Sequence, residues 1–64
     1  MIDEAALTEL TREIMSQGYD EKTAWRYAAL IGDTPCVDDQ GNIVVRDGNR
    51  EIDRLKPLKM FETD

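Results

Sequence analysis

A chain of 64 residues hides only about 60% of the surface it exposes when unfolded, which allows one modest core and excludes a second domain. Fourteen acidic against eight basic side chains give a net charge of -6, which repels phosphate backbones and anionic lipid at long range and steers basic partners inward. With no histidine and one cysteine, Cys36, disulfide stapling is out and thiolate- or imidazole-bound metals lack ligands, so no cofactor is expected.

A core of this size supplies roughly 3 to 5 kcal/mol net, so self-association or partner binding is the expected source of further stability. No apolar run approaches the ~20 residues of a bilayer span, and the start has neither the basic flank nor the apolar centre of an export signal. The expectation is a cytoplasmic protein that engages no membrane, residues 1–64 forming a single small domain. Its fold class is α+β: an antiparallel helical hairpin followed by a β-hairpin or short three-stranded antiparallel meander.

In chain order, residues 3–17 predict an amphipathic helix, with Asp3 or a neighbour as its cap and Leu7, Leu10 and Ile14 recurring at offsets of three and four. Gly18 stops it, with Tyr19 packing back on Ile14 as in a Schellman ending. Asp20 caps a second helix over 20–31, and Glu21 complements the positive end of its dipole. Ala24, Tyr27, Ala28 and Ile31 make the apolar stripe of that helix, and the small alanines permit close approach of the first. Trp25 lies off the centre of the stripe, where burial is expected first and partner contact second.

Gly32 terminates the second helix ahead of Asp33, Thr34 and Pro35. From 36 to 55 the pattern becomes β-branched runs broken by turn formers at 38–42 and 47–49. Cys36 reads as a small, half-buried strand residue. Ile43, Val44 and Val45 form one strand, Asp47 with Gly48 marks a tight return, and Arg50 to Leu55 come back. Ile52 and Leu55, three apart, also permit a short helix over 49–56, which Pro57 would end. Residues 58–64 are expected to be an extended tail whose Leu58, Met60 and Phe61 either cover the core or await a partner. The bases Arg46, Arg50, Arg54, Lys56 and Lys59 read as a solvated face that discourages edge-to-edge association.

The stretch Gly18-Tyr19-Asp20-Glu21-Lys22-Thr23-Ala24-Trp25-Arg26 resembles the turn and recognition helix of bacterial helix-turn-helix proteins. That resemblance implies Lys22, Thr23 and Arg26 facing phosphates and base edges, in a regulator of the antitoxin or repressor kind. It departs from the motif at Ile14, where a small alanine is usual, and the negative charge makes nucleic acid an unfavoured partner. The same residues are similar to the first two helices of ubiquitin-associated domains, with Tyr19 for the turn aromatic, although that family closes with a third helix where this chain has strand-like sequence. Helix-hairpin physics alone accounts for the same residues, with Gly18 and Asp20 as caps and Ala24 and Ala28 as close-packing positions.

Catalysis finds few tools. The commonest proton shuttle, histidine, is absent, a small core can hardly enclose a cleft, and nothing near Cys36 in sequence is an obvious base or dipole to activate its thiol. The Asp38-Asp39-Gly41-Asn42 run fails the register of a calcium loop and reads as a β-turn. The expected function is therefore a small acidic protein-binding or regulatory module without catalytic activity. Its partner is a protein, of basic character, or a second copy of the chain, contacted through Trp25, Leu58, Met60 and Phe61.

Overall fold

A computed structural model describes residues 4–32 and 34–61. Two helices, α1 (Glu4–Ser16) and α2 (Glu21–Ile31), precede strands β1 (Cys36–Val37), β2 (Ile43–Asp47) and β3 (Arg50–Leu55), and a single 3-10 turn, Lys59–Phe61, follows. The sheet is an antiparallel meander of order β1-β2-β3, so the α+β reading holds in its three-stranded form. The short helix considered over 49–56 is replaced by strand, because the cross-strand ladder with β2 satisfies the backbone there. Asp3, the expected cap of α1, lies outside the described residues, as do 62–64 of the tail.

Local chemistry sets the breaks. Gln17 and Gly18 donate to the carbonyls of Ile14 and Met15, tightening the end of α1 one residue short of the expected bound. Asp20 then accepts the Thr23 N–H at 2.7 Å, as an N-cap must. Gly32, at φ +63°, sends its N–H to the Ala28 carbonyl and ends α2. In the β2–β3 hairpin Asp47 pairs with Arg50, so the two-residue turn is Gly48-Asn49, one residue later than the Asp-Gly dipeptide indicated. Only Gly48 takes a positive φ, +67°, which fits a type II′ turn with glycine first.

The core is one cluster, Leu10, Ile14, Ala24, Ala28, Ile31, Ile43, Val45, Leu55 and Leu58, contributed by both helices, β2, β3 and the segment beyond them. Ala24 and Ala28 are fully buried, letting α1 lie close to α2 as the sequence implied. Thr11 is buried too, and its hydroxyl is satisfied by donating to the Leu7 carbonyl at 2.8 Å. Between Val45 and Arg46 the β3 register slips by one residue, so that Ile52 is the extra residue of a β-bulge. Among the described residues no helix is long and apolar enough to cross a membrane.

Candidate functional site

The face of α1 and α2 turned from the core carries the first feature. Met15 and Trp25 are each 38% exposed and line one groove of about 440 Å³ with Thr8, Thr11, Arg12 and Glu21. Burial was the first expectation for Trp25; the cross-helix positions that reach the interior are instead filled by Ala24 and Ala28, whose small side chains leave no depth for an indole one position away. Met15, given no role in the sequence analysis, is the second apolar wall. Its position one residue beyond the buried Ile14 was the available signal.

The tail supplies the second feature. It is not extended throughout. Leu58 is 2% exposed and belongs to the core, while Met60 and Phe61 are half-buried against it, so of the tail residues expected to meet a partner Leu58 is spent on folding. Two side chains of α1 hold this segment. The Gln17 amide donates to the Lys56 carbonyl and accepts the Lys56 N–H, both at 3.0 Å. The Glu13 carboxylate accepts the Lys59 N–H at 2.9 Å and the Met60 N–H at 3.3 Å, capping the 3-10 turn as an acid caps a helix start. Neither residue was singled out from sequence, since their partners lie about forty positions away. Trp25 and the tail are not brought together: they flank α1, with Arg12 bordering both sides.

A third cluster joins α2 to β3. Asp53 faces the helices beside Val45, its cross-strand partner, and accepts the Tyr27 hydroxyl at 2.8 Å. Tyr19 meets Tyr27 edge to face at 5.4 Å, and burial, with the Asp53 carboxylate nearby, raises its phenol above the ordinary value. Burial alone would raise the Asp53 carboxyl, but the hydrogen bonds from Tyr27 and the Arg54 N–H, with the Tyr19 phenol nearby, outweigh it and hold the group below its ordinary value. The Tyr27 phenol, bonded to that carboxylate and desolvated, is pushed up to about 12. Tyr27 thus serves the core with its ring and the sheet with its hydroxyl.

The residues of the DNA-binding reading are differently employed. Lys22 is exposed and Thr23 half-buried, its N–H taken by the Asp20 cap. Arg26 is paired with Asp47 of the hairpin at 3.5 Å. The end of α2 that would approach phosphates therefore presents Asp20 and Glu21 ahead of its first base, and three strands occupy the place of a third helix.

On the loop between β1 and β2, Asp38 accepts the N–H groups of Gln40 and Asn42, both at 2.9 Å, and pairs with Arg54 at 3.2 Å. Its oxygens are committed to the turn. Among the described residues no group of three or more histidine, cysteine or acidic side chains is placed to hold a metal. Cys36, expected to be half-buried, is exposed, because β1 lies at the edge of the sheet.

Comparison with protein-family models, with curated proteins and with solved structures gives no match.

Proposed function

We propose that this domain is a small, acidic, non-catalytic binding module that engages a protein partner through the Trp25–Met15 groove. The observation that carries the reading is the pairing of two large apolar side chains in one exposed groove, on a chain whose other large apolar side chains mostly pack inward. Trp is among the residues that most often dominate binding energy when a partner completes its burial. The net charge of -6 favours a basic partner by steering its approach. The reading carries with it a cytoplasmic setting and no cofactor.

Trp25 is the only tryptophan, so its emission reports the site directly. Titrating a copurifying partner into the purified domain is expected to shift that emission to the blue. Trp25→Ala is expected to weaken binding by about 30-fold or more, the loss typical of a central anchor, and to leave the circular dichroism spectrum in place. Binding that survives both Trp25→Ala and Met15→Ala would end this reading. Salt-sensitive binding to duplex DNA that is lost on changing Lys22 and Arg26 would replace it with the helix-turn-helix alternative.

A further inference from the structure

Beyond β3 the chain leaves the ladder. Residues 56–58 have no strand pairing and 59–61 make one 3-10 turn, so this segment lacks the ladder that ties the other strands together. Among the described residues, its polar attachments to the body are the four hydrogen bonds from Gln17 and Glu13 already described, all from two side chains one helical turn apart. Concave gaps flank it on both sides: about 440 Å³ toward Arg12, Glu13, Ser16 and Gln17, and about 280 Å³ toward Pro35, Val37, Gly41 and Ile43. Only Leu58 reaches the deep core.

We propose that residues 56–61 form a strap that opens as one unit while α1, α2 and the sheet stay folded, baring the recess that Leu58 fills between α1 and the β1–β2 loop. Segments outside a strand ladder and tied by exposed side-chain hydrogen bonds open at lower cost than the body that carries them, and here the burial of Leu58, with Met60 and Phe61 beside it, is what opening must undo. The body keeps its own closure, since Leu10, Ile14, Ala24, Ala28, Ile43, Val45 and Leu55 remain together without the strap. Glu13 and Gln17 set the open fraction. The inference does not rest on the Trp25 groove, which lies on the other side of α1.

Native-state amide exchange on the whole chain, followed at rising sub-denaturing urea, tests it. The amides of Lys56, Lys59, Met60 and Phe61 are expected to exchange together, with little urea dependence, and faster than the helix-interior amides of Ile14 and Ala28. The double variant Glu13→Ala, Gln17→Ala is expected to speed the strap amides by about tenfold or more, given a few-fold for each hydrogen bond lost, while Ile14 and Ala28 keep their margin above them. Strap amides that share the steep urea dependence of the helices, or that exchange one by one at unrelated rates, overturn the proposal. So does a double variant that leaves the strap amides at the parent's rate. If that variant does not fold, the urea dependence of the unaltered chain decides.

Discussion

Replacing Tyr27 by Phe removes one hydroxyl and keeps the ring that packs on the core and on Tyr19. The loss falls on Asp53, whose carboxylate, on the helix side of β3, is left among the described residues with the Arg54 N–H as its hydrogen-bond donor. The move of Tyr27 from 10.0 to about 12 corresponds to a ceiling of about 2.7 kcal/mol at ~1.36 kcal/mol per unit. Solvent screening of a half-buried group brings this to about 1 to 2 kcal/mol, in line with ~1.5 to 3 kcal/mol for a hydrogen bond to a charged group.

The signs differ at the two ends of the pH scale. Tyr27 is raised, so its contribution is complete below the unfolded tyrosine value of 10.0 and is lost as pH climbs through about 12. Asp53 is lowered, so its contribution is complete above 3.8 and is lost as pH falls through its folded value. Urea unfolding from pH 3 to 11 is expected to give a plateau with both limbs in the parent, and Tyr27→Phe to lower the plateau and flatten both limbs. In a double-mutant cycle with Asp53→Asn the coupling is expected to exceed ~0.5 kcal/mol. An unchanged urea midpoint, or limbs identical to the parent's, would refute the assignment.

Further outcomes follow from single positions. Gly48→Ala meets open space, yet φ +67° penalises any β-carbon, so it is expected to cost about 1 kcal/mol in chemical denaturation. Ala28→Leu, at a fully buried helix contact, is expected to cost ~1 to 3 kcal/mol by overpacking, seen as a lower Tm. Ile14→Ala removes a fully buried side chain at a cost of ~2 to 5 kcal/mol, comparable to the whole net stability of such a core, and is expected to leave the chain largely unfolded by circular dichroism at 37 °C.

The element order was legible because local signals agreed. Asp20, Gly32 and the apolar spacing of both helices act within a turn or two of chain, and the glycine at 48 works within four residues. Trp25 and the tail were harder, since what they meet is decided by how α1, α2 and the sheet come together. Trp25 was displaced from the interior by the close helix approach that its neighbouring alanines permit. Glu13, Gln17 and Asp53 went unread for a related reason: each sits in an ordinary polar slot of its own element, and its role exists only through partners 26 to 47 positions distant. Leu58 could be read as apolar, but not as a core member, until the chain beyond Pro57 was seen to turn back beneath Glu13.

The extra residue at Ile52 divides the hairpin into two segments whose alternation is out of phase. Near the tip Asp47 and Arg50 share a side; toward the base Val45 shares one with Asp53, and the slip between them gives Ile52 its place against the interior. A strand that alternated strictly would have to choose between sending its isoleucine or its aspartate to the helices. Because of this offset β3 sends both, and lengthening or shortening the Gly48-Asn49 turn would re-register the tip while the pairs from Ile43 to Val45 kept their partners.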